Sequence, residues 1–494
     1  MKQFATLVFF LCTSVIIAQE AIYSSESVHH PIIAENGMVA SQHALASQVG
    51  LDILQAGGNA VDAAVAVGFA LAVVLPRAGN LGGGGFMLVH LAEENRTTAI
   101  NYRETAPKAA SRDMYLNKEG EVDNQKSNLS YQSVGIPGTV AGMCYALDKY
   151  GTMDIKEVIA PAIKLAEEGF AVTHDLAYVL ERHESRLKKS PAAEQIFYKG
   201  DTFYAAGEQL IQTDLAWSLR QISDKGQKGF YRGELAEKLA KDIQANGGII
   251  TKKDLRKYKV SETSTVNGNY RGYEIASMPP PSSGGVHLIQ LLNILEDYDL
   301  SSLEHNSAET IHLMTEAMRY AYADRSEHMG DPAFWDVPTD GLTSKAYANH
   351  QRQHISADTV TSSTSINAGR PADYESNETT HYSVADQYGN VVSNTYTLNF
   401  SFGSGLVAEG TGILLNNEMG DFSAKPGSAN AYGLIGGEAN AVAPGKRPLS
   451  SMTPTIVFKE DKPYIVTGSP GGSRIITTVL QIIMNVIDLS LIHI

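Results

Sequence analysis

Cysteine is almost missing from this chain: Cys12 and Cys144 are the only two in 494 residues. Residues 1–18 have the make-up of a secretory signal. Lys2 gives a short positive start, an apolar stretch covers 4–18, and small residues precede Gln19. With that segment removed Cys144 stands alone, so no intramolecular disulfide can form even in an oxidising compartment, and stability has to come from packing. Long apolar runs are lacking too. The 4–18 stretch is too short to cross about 30 Å of hydrocarbon as a helix, which excludes a stable membrane span there and leads us to expect a secreted, periplasmic protein. Leu11 is too large for lipoprotein processing at Cys12.

Basic charge is scarce. Lys and Arg number 39 against 54 Asp and Glu, the formal net charge is −15, and no basic block or stripe interrupts the chain. Nucleic acid is excluded as an expected partner, because nothing is placed to neutralise a phosphate backbone. Also missing are His-Glu-x-x-His, Cys-x-x-Cys, Gly-x-Ser-x-Gly and a P-loop lysine, so zinc, α/β-hydrolase and Walker-type chemistry lose their usual anchors. The glycine run at 82–85, after Gly79-Asn80-Leu81, has no Lys-Ser/Thr behind it. It reads as a turn where backbones approach closely rather than as a phosphate cradle. No metal, nucleotide or organic cofactor is called for.

What is present is an ordinary globular balance, 43% apolar and 19% charged, in a chain long enough for one very large α/β domain or two to three smaller ones. Apolar patterning predicts helices over 40–56, 59–75, 139–150, 155–169, 209–225, 233–246, 285–297 and 308–324. The first half therefore reads as helical, with Cys144 a buried structural thiol inside one helix. From about 380 the texture changes to strands, at 381–386, 391–398, 411–415, 453–458 and 463–467. Between the two lies a polar, aperiodic linker at 357–378. A last helical run at 474–488 is followed by Leu-Ser-Leu-Ile-His-Ile. Those residues, 489–494, are expected to be non-native, since a transposon end sequence can encode them.

The linker meets the first strand at Asn377-Glu378-Thr379-Thr380-His381-Tyr382-Ser383-Val384. By position alone Thr379 is an ordinary strand-initiating residue. Two later clusters, Pro448-Leu449-Ser450-Ser451-Met452 and Thr467-Gly468-Ser469-Pro470-Gly471-Gly472-Ser473-Arg474, supply small hydroxyls and backbone N–H groups suited to holding an oxyanion and a carboxylate.

These segments, with Thr395-Tyr396-Thr397-Leu398-Asn399 and Leu415-Asn416-Asn417-Glu418-Met419-Gly420-Asp421-Phe422, resemble the small-subunit signatures of γ-glutamyltransferases (γ-glutamyltranspeptidases) of bacterial secreted type, in order and spacing. Gly79 to Met87, Arg103-Glu104 and Ala106-Pro107 are similar to the family's large subunit. The resemblance implies an α/β fold, the four-layer αββα sandwich of N-terminal-nucleophile hydrolases. It also implies a precursor cut between Glu378 and Thr379, giving a signal at 1–18, a large subunit at 19–378 and a small subunit at 379–494. Family members continue past the part that matches Asp488, so a C-terminal truncation is expected.

By the same resemblance Thr379 is the nucleophile and Thr397 orients it, while the N–H groups of Gly471 and Gly472 bind the oxyanion. Arg103, Ser450 and Ser451 hold the donor's α-carboxylate, and Asn399, Glu418 and Asp421 receive its α-ammonium. The loop at 426–447 is similar to a lid, with Tyr432 as its gate. The expected substrates are glutathione and related γ-glutamyl compounds, with water, amino acids or short peptides as acceptors. Without the resemblance, Arg103 reads as a surface partner of Glu104. Two other readings stand beside this one: an acylase on the same scaffold, acting on cephalosporin side chains or poly-γ-glutamate, and an inert binding protein that never cuts itself.

Overall fold

The structure is a computed structural model describing residues 32–362, 365–366 and 380–490. The signal segment, most of the linker, Glu378, Thr379 and residues 491–494 lie outside the described residues. Ten strands build two facing sheets: β1 (Gly37–Ala40), β2 (Gly84–Leu91), β3 (Arg96–Asn101), β4 (Ser261–Thr263), β5 (Val266–Tyr270), β6 (Tyr273–Ser277), β7 (Thr380–Asp386), β8 (Val391–Thr397), β9 (Thr455–Lys459) and β10 (Lys462–Thr467). One sheet runs β1-β7-β8-β2-β3-β4 and the other β10-β9-β6-β5. All neighbouring pairs are antiparallel.

Phe86, Leu88, Ala99, Ala276, Ile456 and Phe458 fill the space between the sheets. Outside the six-stranded sheet lie α1 (Ala44–Gln55), α2 (Ala60–Val74), α3 (Thr139–Tyr150) and α4 (Ile155–Glu168). α2 is buried on every side and packs on β7 and β8, a closeness that its alanines permit. Outside the four-stranded sheet lie α5 (Gly284–Leu295), α6 (Ala308–His328) and α7 (Ile475–Ile487). α5 covers β5 and β6 and touches both other helices. Helix, sheet, sheet, helix is the expected layer order.

The reading of the first half as helical needs correction, because six of these ten strands precede residue 379. β2 shows why they were missed. It is buried on both faces, so the run Gly-Gly-Phe-Met-Leu-Val-His-Leu has no polar alternation to announce a strand. The expected strand at 411–415 shrinks to Ile413–Leu414, since Gly410 and Gly412 both take positive φ and turn the chain just before it. Cys144 lies buried in α3, where burial pushes its thiol up to about 12. It is an inert core residue.

Candidate active site

The glycine run sets the floor of the site by letting backbones touch. A Cβ on Gly82 would lie 2.1 Å from the Leu414 carbonyl oxygen, one on Gly83 2.0 Å from that of Thr397, and one on Gly85 2.5 Å from that of Thr395. None of the three has positive φ. They are needed for proximity, and they press the end of β8 against the start of β2. At that end of β8 opens a small pocket.

Eight residues singled out from sequence line this pocket: Arg103, Thr397, Asn399, Asp421, Tyr432, Ser450, Ser451 and Gly472. Glu418 stands behind Arg103, bonded to it, and Gly471 adjoins Gly472. Thr379 and Glu378 are outside the described residues. Thr380, covalently joined to Thr379, opens β7 and pairs with Tyr396, the neighbour of Thr397.

Arg103 is not a surface residue. It is 1% exposed, which overturns the reading of it as a surface partner of Glu104, although Glu104 Oε2 does lie 3.6 Å away. Its guanidinium meets Glu418 and Asp421 at 2.5 Å each and donates to the Pro448 and Leu449 carbonyls at 3.3 Å. The groups expected to divide a substrate's two charges thus neutralise each other here. Three carboxylates crowd this one guanidinium. Burial raises Glu418 well above the usual carboxylate range and raises Asp421 as well. It pushes Glu104, whose oxygens find no hydrogen-bond donor among the described residues, up to about 7. Burial thus favours the protonated form of these carboxylates, against the pull of the guanidinium.

Ser450 and Ser451 are fixed from the earlier part of the chain. Ser450 N–H donates to the Pro281 carbonyl (3.0 Å), and the Ser283 N–H donates to that of Ser450 (2.9 Å). Sequence reasoning missed Arg325, on α6. It lines the same pocket, is 5% exposed, and donates to Ser283 Oγ (2.9 Å) and Ser451 Oγ (3.0 Å).

Thr397 Oγ1 accepts from the Asn399 N–H at 2.8 Å. Asn399 sits at φ +80°, a conformation asparagine tolerates better than most residues, and its amide donates to the Asn417 carbonyl at 2.9 Å. The Tyr432 hydroxyl donates to the Asn399 carbonyl at 2.8 Å and also contacts its side-chain oxygen. Tyr432 is buried and packs edge-on against Phe400, so the 426–447 loop lies folded over the pocket. Across from it Gly471 (φ +131°) and Gly472 (φ +52°) take a backbone shape closed to most side chains. Among the described residues their N–H groups find no backbone acceptor, and α7 begins three residues on. Donors at a helix N-terminus suit a developing negative charge.

Two facing antiparallel sheets between helical layers are the fold of N-terminal-nucleophile hydrolases. The gamma-glutamyltranspeptidase family model matches residues 46–492, and this chain belongs to that family. It is 55% identical to the glutathione hydrolase proenzyme of Escherichia coli (strain K12), over 94% of this chain and 80% of that one. Among solved structures, the gamma-glutamyltranspeptidase of Helicobacter pylori is 49% identical with a TM-score of 0.68, covering 69% of this chain and 97% of that one. The cephalosporin acylase of Bacillus halodurans is 30% identical with a TM-score of 0.82, covering 95% and 83%. Among the described residues no helix is long and apolar enough to cross a membrane.

Proposed function

We propose that this protein is an autoprocessing γ-glutamyltransferase and glutathione hydrolase. It takes the γ-glutamyl group from glutathione and related compounds and passes it to water, amino acids or peptides through an ester on Thr379. The observation that carries this reading is the lining of the pocket beside Thr397. Two buried guanidinium groups, two serine hydroxyls and the Asp421 carboxylate, itself paired with Arg103, line it together, a set matched to a zwitterionic α-amino acid head that would otherwise be costly to desolvate.

In maturation the Thr379 hydroxyl attacks the Glu378 carbonyl, the acyl group moves from nitrogen to oxygen, and water hydrolyses the ester. The products are a large subunit, 19–378 after loss of the 1–18 signal on export to the periplasm, and a small subunit from 379. The freed α-amine titrates near 7.7–8.0, so part of it is neutral and can take the hydroxyl proton. In turnover Thr379 attacks the γ-carbonyl while Thr397 orients it and the Gly471 and Gly472 N–H groups hold the oxyanion. One such donor is worth about 10²–10³ in rate. The leaving amine departs with a proton, and water or an acceptor amine cleaves the ester. Arg103, Ser450 and Ser451 take the donor carboxylate, while Asn399, Glu418 and Asp421 take its ammonium. Arg103 exchanges its own carboxylates for the substrate's. Tyr432 keeps water out while the lid is closed.

Purified wild-type chain should give two bands on denaturing electrophoresis, the smaller beginning at Thr379, and should cleave a γ-glutamyl anilide. Thr379→Ala should give one band and no cleavage; retained activity in that variant would overturn the proposal. The likeness to a cephalosporin acylase favours, as a second reading, an acylase acting on cephalosporin side chains. Faster cleavage of glutaryl anilide than of γ-glutamyl anilide would select it.

A further inference from the structure

The geometry points to Arg325 as the second cation of the donor-carboxylate subsite, a positioning residue that acts through Ser451 and makes the pocket select donors with a carboxylate. The inference rests on the γ-glutamyl reading above and deepens it.

An arginine has five N–H donors and no acceptor. Arg103 commits its donors to Glu418, Asp421, Pro448 and Leu449, so as the pocket stands it has little left for a ligand. Arg325 has donors in hand. Only its bonds to Ser283 Oγ and Ser451 Oγ are made among the described residues, and no carboxylate lies within ion-pair distance of it there. A cation 5% exposed without a bonded anion is costly unless its position serves a ligand. Burial lowers the pKa of its guanidinium, with Tyr322 and then Asp421 working in the other direction.

The direction of each bond decides what the serines can do. Because arginine only donates, Ser451 Oγ is the acceptor from Arg325, and its own hydrogen is left to point elsewhere. Ser450 Oγ likewise accepts from the Met452 N–H at 3.1 Å. Ser283, by contrast, accepts from Arg325 and spends its hydrogen on the Ser450 carbonyl at 2.8 Å. Arg325 therefore braces the Ser450–Ser451 pair on two sides. It turns Ser451 into a donor that faces the pocket and strengthens that donor, since a hydroxyl accepting from a cation is polarised. The ligand this recognises is a carboxylate, whether or not an ammonium accompanies it.

Three anilides separate the contributions: γ-glutamyl, glutaryl (carboxylate without ammonium) and 4-aminobutyryl (ammonium without carboxylate). Loss of a charge-assisted hydrogen bond predicts that Arg325→Met raises KM for the γ-glutamyl donor by about 10–100-fold, with kcat changed much less. The preference for γ-glutamyl over 4-aminobutyryl should fall by the same factor. Arg325→Lys should recover part of it, and the double variant with Ser451→Ala should lose less than the two single losses combined. An unchanged preference ratio, or equal losses on all three donors, would overturn the assignment. If Arg325→Met gives no second band on electrophoresis, Arg325→Lys and Ser451→Ala carry the same ratio test. A wild-type chain that ignores γ-glutamyl anilide sinks the function itself, a different result from a wild type that cleaves it while the variants keep full preference.

Discussion

His381 shows what burial does next to the proposed nucleophile. It follows Thr379 by two positions, with its ring held between Thr395 Oγ1 at 2.9 Å and Ser383 Oγ at 3.0 Å. Burial lowers its pKa to about 3, so it is neutral at working pH and serves as a spacer between the sheets. Its titration still affects stability. Between about pH 6.5 and 3 the unfolded chain binds a proton at this position that the folded chain refuses. The contribution is complete above about 6.5 and declines as pH falls through that value. His381→Asn should therefore shrink the drop in urea midpoint between pH 7 and pH 5, and equal drops in both proteins would refute the account.

Sequence made Ser450 and Ser451 legible as paired hydroxyls in a short motif, whereas Thr397 was picked out only by the resemblance of its motif to the family's. Arg325 was not legible, being a lone charge in a helix. Its signal was periodicity. Leu313, Ala317, Ala321 and Arg325 follow one another at four-residue steps, and all four are buried, so a charge that continues an apolar row marks an inward-facing group.

At the scale of elements, β7 and β8 were readable to within a residue. β7 alternates buried and half-buried positions, and turn residues bound the pair. β2 was not readable, since an apolar run covered on both sides loses the two-residue period; β8 is buried just as fully, and it was the Asp/Gly/Asn turn before it that marked it. The glycine run entering β2 was understood in kind but not in purpose. Its purpose is to set the distance between β2 and the end of β8, where Thr397 sits. Gly83→Ala puts a methyl group 2.0 Å from the Thr397 carbonyl oxygen, and overpacking of this kind costs about 1–3 kcal/mol. We expect a lower melting temperature by calorimetry together with slowed or failed appearance of the small subunit. Normal stability with normal maturation would show that the contact is not constraining.

Over the whole molecule, the order β1-β7-β8-β2 threads a hairpin from the later part of the chain between two strands of the earlier part. The β9-β10 hairpin joins β6 of the earlier part in the same way. The proposed cut before Thr379 would leave these ladders whole. The two pieces should co-elute as one species from a sizing column in native buffer and part only in denaturant; separation under native conditions would contradict the interleaving.

That interleaving also imposes a sequence of events. Thr397, the residue proposed to orient the attacking hydroxyl, reaches its place only once β8 is zipped to β2, so a chain stalled before that point lacks the means to cut itself. Scission then certifies that assembly is complete, and the rise of the smaller band with time becomes a stopwatch for folding that needs no optical probe.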